Sequence, residues 1–346
     1  MKLLKTLAAV ALVGSVIVGC STTDDGATVR NIDDTAGAGS ASGAGSGSGS
    51  ASAPANGGTV SAGDELFTPV SDVSSHAAIG EDIAAIKALI DVAKEGQPVD
   101  WAAVDTLFTE GEASLEGDGT PRSMATLVET DAAAVVVAEI DAAIAGSGDA
   151  AGLPDAERAQ LVDKGMSVLL GLKVSNELAA ANTKVAAGET DRESGAPHNV
   201  DEAWAFFTAD GNGLASTATK RAADFDKDGQ VTEPVLEALT AAQTAAIDGD
   251  AAAFATASAD TQSALNHIFY LATFKYLDSA DDPIARAEGQ AFYWGIQPIV
   301  AAAAPDADAA IVAALASGDA ATGRAALNQP AVLEALGLTA DQAVSE

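Results

Sequence analysis

The chain predicts an all-α protein: a single large helical domain, or two packed helical bundles, following a lipidated, disordered tether. Three observations carry this. Beyond about residue 64, apolar residues recur at helical spacing in almost every segment. Alanine dominates those segments, and aromatics make up only 4% of the chain. Alternating apolar and polar runs joined by Asn-Gly or Asp-Gly turns are absent, so nothing announces a sheet.

The first nineteen residues read as an export signal. Lys2 and Lys5 supply the basic start, and Leu7 to Val18 form an apolar stretch too short to span a bilayer comfortably. The stretch ends Ile17-Val18-Gly19-Cys20, which resembles the lipobox of bacterial lipoproteins, with a small residue before an obligatory cysteine. Cys20 is the only cysteine, so the resemblance implies lipidation at Cys20 and leaves no thiol for a disulfide or a metal. Several acyl chains, at ~0.8 kcal/mol per buried CH₂, make the attachment durable. Ser21 rather than Asp follows, a pattern similar to lipoproteins sorted to the outer membrane. The expected location is therefore a membrane facing the periplasm or cell surface.

Residues 20–63 are Gly, Ser and Ala with a few acids. Such a segment buries too little apolar surface to offset chain entropy and is expected to act as a disordered tether. At roughly forty residues its r.m.s. reach is about 35 Å.

Residues 64–346 are the expected folded part. Ile79, Ile83, Ile86, Ile90 and Ala93 repeat at helical spacing until Gly96-Gln97-Pro98. Asp131 opens a helix carrying Val135, Val136, Ile140 and Ile144, and Gly146 closes it. A longer helix spans 154–187, with further segments over 201–208, 214–224, 234–247, 251–278, 283–303, 306–316 and 330–336.

Formal charge is −33 and becomes −35 once Lys2 and Lys5 leave with the signal. Such a surface repels nucleic acid and anionic lipid, so the membrane is expected to be reached through the anchor alone. The same charge attracts cations, though a merely solvated acidic surface explains it equally.

Few residues carry chemistry. His198, Asp201 and Glu202 are three and four positions apart, so on a helix they share one face and offer a nitrogen and two hard oxygens to one cation. The alternative makes both acids ordinary first-turn residues, with His198 nearby as a cap. His267 sits in a long apolar helix, either as a ligand or as a core histidine. Glu288 lies among buried-type residues and needs a cation, a metal, or Arg286 or Lys275 as its partner. Glu177 is a further carboxylate able to reach the centre, whereas His76 reads as a surface residue. Two histidines with carboxylates suit iron, and zinc or manganese as well.

A second motif, Asp224-Phe225-Asp226-Lys227-Asp228-Gly229-Gln230-Val231-Thr232-Glu233, has acids at positions 1, 3 and 5 of a calcium-type loop and Gly at 6. Asp224, Asp226, Asp228, Gln230, Thr232 and Glu233 are its candidate ligands. Position 12 is Val235 rather than the usual Glu, which weakens the site; a metal-free Asp/Gly turn is the alternative. No G-x-S-x-G, Walker loop, HExxH or CxxC occurs, and the HxxE motif of imelysin-type proteins is missing. No enzyme activity is expected.

The segments around His198–Phe206, Ala218–Phe225 and Ala287–Pro298 resemble the algal iron-assimilating, low-iron-inducible periplasmic protein family, over roughly residues 155–315. Trp204 and Phe292-Tyr293 carry much of the likeness. The resemblance implies a secreted, helical, non-catalytic protein of iron uptake; the function expected of this chain is lipid-anchored iron binding that concentrates the metal near a transporter. Its matched ligand positions are His198, Asp201, Glu202, Glu288 and His267. A calcium-stabilised surface module without a transition-metal site is the rival expectation.

Overall fold

The structure, a computed structural model, describes residues 66–344; the expected signal, Cys20 and the expected tether lie outside the described residues. The fold is all-α. Its helices, in chain order, are α1 (Ser74–Ala77), α2 (Ile79–Ile90), α3 (Trp101–Glu110), α4 (Asp131–Ala145), α5 (Asp155–Ala187), α6 (Ala196–Thr208) and α7 (Leu214–Asp224). The second half holds α8 (Thr232–Asp248), α9 (Ala251–Asp278), α10 (Pro283–Tyr293), α11 (Gln297–Ala303), α12 (Pro305–Ser317), α13 (Ala320–Leu327) and α14 (Pro330–Ala335). The only β-type pairing among the described residues is an isolated bridge between Leu115 and Pro121.

Local chemistry sets most boundaries. Asp100, Thr130, Asp250, Asp282 and Asp319 cap the starts of α3, α4, α9, α10 and α13 by accepting hydrogen bonds from first-turn amides. Gly146 and Gly188 end α4 and α5 in the left-handed region, where a side chain is costly. The expected 283–303 helix is instead two. Pro298 fits the first turn of α11 but not a helix interior, and Gly295 lies where a Cβ would meet the Phe269 ring at 2.9 Å.

The long helix α5, 33 residues and so about 50 Å, is the spine. Helices α4, α6, α9 and α10 all pack on it, and α6 packs on α8. Gly171 permits the crossing with α9, since a Cβ there would stand 2.7 Å from the Phe269 ring. The fully buried Phe206, Phe207, Phe254, Tyr270, Phe292 and Tyr293 fill the resulting core. No described helix is long and apolar enough to cross a membrane.

Candidate metal centre

Helix α6 begins five residues earlier than expected, so His198 lies in its first turn rather than in a loop. Pro197 tolerates that position because the first-turn amide has no intrahelical acceptor anyway. Gly195 before it is extended, and a Cβ there would meet the Glu189 and Asp191 carbonyls at 2.5 Å. The helical register then stacks His198 over Glu202, with Nε2 to Oε1 at 3.2 Å.

A second imidazole meets the same oxygen. His76 projects from α1 and places Nε2 3.0 Å from Glu202 Oε1. The His76 side chain is only 12% exposed, which corrects the expectation of a surface residue. Its ring lies edge-on to Phe206 at 5.6 Å and to His198 at 6.1 Å between centroids. Two histidines 122 positions apart thus converge on one carboxylate. Among the described residues, no group of three or more His, Cys, Asp or Glu side chains is placed to hold a metal ion.

Asp201 is not a free ligand. It is fully buried and saturated: Oδ2 accepts from the Val70 and Ser71 amides at 2.8 Å and from the Ser71 hydroxyl at 2.7 Å, and Oδ1 accepts from Gln243 Nε2 at 2.6 Å. Its role is to hold residues 70–71 against α6 and α8. That corrects its expected place among the ligands.

This anchoring sets the protonation of His198. Ser71 has one hydroxyl proton, and the Asp201 carboxylate takes it. Ser71 Oγ, 2.8 Å from His198 Nδ1, must therefore accept, so Nδ1 carries a proton. A neutral His198 then directs the Nε2 lone pair at Glu202 Oε1, an arrangement that repels unless a cation, whether proton or metal, stands between them.

Behind Glu202 lies a second carboxylate. Asn199 Nδ2 donates to Glu202 Oε2 at 3.0 Å and to Glu177 Oε2 at 2.7 Å, while Lys173 Nζ pairs with Glu177 Oε1 at 2.6 Å. Lys173 also sits over the Phe206 ring, 5.1 Å from its centroid. Burial pushes the Glu177 pKa up; Lys173 opposes and nearby Glu202 reinforces the rise. Burial also works against ionised Glu202, but hydrogen bonds from His198 and His76 outweigh it and hold its pKa well below the ordinary value. Burial disfavours charged His198, yet contact with Glu202 raises its pKa overall.

The remaining expected ligands lie in other clusters. His267 is buried in α9, where Nε2 donates to the Gln342 carbonyl at 3.2 Å, so it is a core histidine tying down the C-terminal segment. Burial lowers its pKa to about 4. Glu288 accepts from Tyr276 at 3.2 Å and pairs with Lys164 at 3.3 Å. Its partner is neither Arg286, which donates to the Ala280 carbonyl, nor Lys275.

The 224–233 segment links α7 to α8 as a helix–loop–helix, with Asp226 at φ +52 and Gly229 at φ +75. Its acids do not converge. Asp224 turns back to Arg221 at 2.8 Å, and the Glu233 carboxylate packs over Gly229. Among the described residues, Asp226 and Asp228 form no metal-holding group with them; the Gln230 amide donates to the Lys227 carbonyl at 2.9 Å, and the Thr232 hydroxyl lies 3.5 Å from that of Thr219.

Ser71, His76, Lys173, Asn199 and Gln243 are the members that sequence reading missed. Only His76 had a signal, as one of three histidines in the chain. No family model matches the chain, and no curated protein or solved structure is significantly similar to it.

Proposed function

We propose that this chain is a lipid-anchored, extracytoplasmic metal-binding protein, without enzymatic activity, that captures a transition-metal ion between His76, His198 and Glu202. The observation that carries the reading is the pair of imidazole Nε2 atoms facing one carboxylate oxygen at 3.0 and 3.2 Å. Nitrogen and oxygen ligands bound at about 2.0–2.2 Å and roughly 90–110° apart are themselves about 2.8–3.6 Å apart. The two N···O contacts therefore have the length of edges of a coordination polyhedron. The Ser71–Asp201 relay, which keeps the His198 proton on Nδ1, supports the same reading, because ligating histidines are oriented through their other nitrogen.

Mixed nitrogen and oxygen donors suit iron, zinc and manganese. The motif resemblance favours iron as cargo for assimilation, handed to a transporter in the same envelope. The test is elemental analysis and metal titration of the full chain purified without chelator. One ion per chain is expected, lost in His198→Ala and Glu202→Gln, and retained in His267→Gln and Glu288→Gln. Unchanged stoichiometry in Glu202→Gln refutes the site.

A calcium-stabilised module is the second reading. It draws support from the helix–loop–helix around 224–233, with Gly229 in the left-handed region at the loop's sixth position.

A further inference from the structure

The chain carries 17 basic residues against 50 acids, yet four of those bases line one small cleft. Lys87 from α2, Lys164 from α5, and Lys220 and Arg221 from α7 surround it, with Asp163 and Tyr276. In so acidic a protein, such convergence of positive charge from three helices opposes the field of the rest of the surface.

The carboxylates present do not use up these cations. Asp163 is shared, with Lys164 at 2.6 Å and Lys87 at 3.3 Å. Glu288 meets Lys164, and Asp224 meets one Arg221 nitrogen at 2.8 Å. Lys220 makes no ion pair with any described residue. Although the residue as a whole is exposed, partial desolvation of its ammonium and then the charges of Lys87 and Lys164 lower its pKa.

Arg221 supplies the independent sign of a missing partner. The residue is 8% exposed, its guanidinium lies 5.2 Å from the centroid of the Tyr276 ring, and its Nε is buried with no hydrogen-bond acceptor. A buried guanidinium nitrogen left unpaired is costly.

The start of α7 faces the same cleft. Its N-cap is Gly213, without a side-chain cap, and Ser216 and Thr217 of the first turn line the space. A Cβ on Gly213 would overlap the Phe207 and Thr208 carbonyls, so only glycine brings the chain this close. A helix start adds partial positive charge and amide donors. The cavity, about 40 Å³, has room for some three water-sized groups, on the scale of about 10–15 Å³ for each. That suits a tetrahedral oxyanion and excludes a nucleotide.

We propose that the cleft between α2, α5 and α7 binds a small, doubly charged oxyanion of the phosphate or sulfate class, held by Lys87, Lys164, Lys220 and Arg221 with the hydroxyls of Ser216 and Thr217. The site is independent of the metal centre and stands without it.

The experiment uses the full chain, stripped of metal with chelator and exchanged into chloride. Inorganic phosphate and sulfate are titrated calorimetrically, and melting curves are compared with chloride at matched ionic strength. One anion per chain and a higher Tm in phosphate are expected. Lys220 is exposed, so Lys220→Met leaves the fold intact; it should weaken binding at least about ten-fold, while Lys220→Arg restores it. Glu202→Gln should bind phosphate as the parent does. Equal melting in phosphate and chloride, or parent affinity in Lys220→Met, overturns the proposal.

Discussion

Asp201→Asn removes one charge, and almost no volume, from a carboxylate that solvent does not reach. Four donors converge on it, three on Oδ2 and one on Oδ1. An asparagine oxygen turned to the Val70 and Ser71 amides sets its own NH₂ against the Gln243 amide nitrogen, which already donates to the Thr68 carbonyl at 3.1 Å. One hydrogen bond becomes a donor–donor contact, and the other three lose their ionic partner. Hydrogen bonds to charged groups contribute about 1.5–3 kcal/mol, and an unsatisfied buried group costs about 1–3 kcal/mol. A net loss of about 3 kcal/mol follows, or a Tm lower by about 5 °C for a folded part of this size. Thermal and urea unfolding followed by circular dichroism at 222 nm measure it. A Tm within about 2 °C of the parent would refute the claim that Asp201 pins residues 70–71 to α6 and α8. The variant also leaves the Ser71 hydroxyl donating to a neutral oxygen in place of a carboxylate, so the His198 tautomer is less firmly imposed. Metal affinity, where the proposed centre operates, should fall by about 10–100-fold.

His267 gives a pH signature. Its folded pKa, about 4, lies below the unfolded value of 6.5, so its neutral form stabilises the fold fully above pH 6.5 and that stabilisation is lost as pH falls toward 4. Between pH 6.5 and 5 the contribution should shrink by about 2 kcal/mol. Comparing His267→Gln with the parent across that range isolates it from His198, whose raised pKa acts in the opposite direction. A difference in unfolding free energy that does not vary with pH contradicts the assignment. For the 224–233 loop, the calcium reading expects a melting temperature that rises with calcium and loses that rise in Asp226→Asn. A Tm indifferent to calcium removes the reading.

Most helices were legible because apolar spacing and end signals are local properties. The α4 and α5 boundaries follow Asp131, Gly146, Pro154 and Gly188 almost to the residue. The α1, α3 and α13 helices carry too short a signal of this kind, as segments whose packing is decided elsewhere. The start of α6 was placed too late, because Gly195 and Pro197 read as loop although both suit a helix start.

The candidate centre was half legible. His198 and Glu202 follow from the i,i+4 register, and the half-buried Glu288 does take a cationic partner. Which partner was not readable: Lys164 lies 124 positions away on α5. His76, in a serine- and alanine-rich stretch with no apolar period, gave no reason to be buried. Its burial comes chiefly from the packing of α1 on α6.

The sequence by itself determined the helical class, most helix ends and the spacing of His198 and Glu202, since each depends on neighbours within a few residues. Only the tertiary structure decided which distant side chains meet. It brought His76 to Glu202, sent His267 to the C-terminal segment, and gathered four cations around one cleft. Those choices rest on how helices cross, and on desolvation that forces each buried charge to find whichever partner the crossing provides.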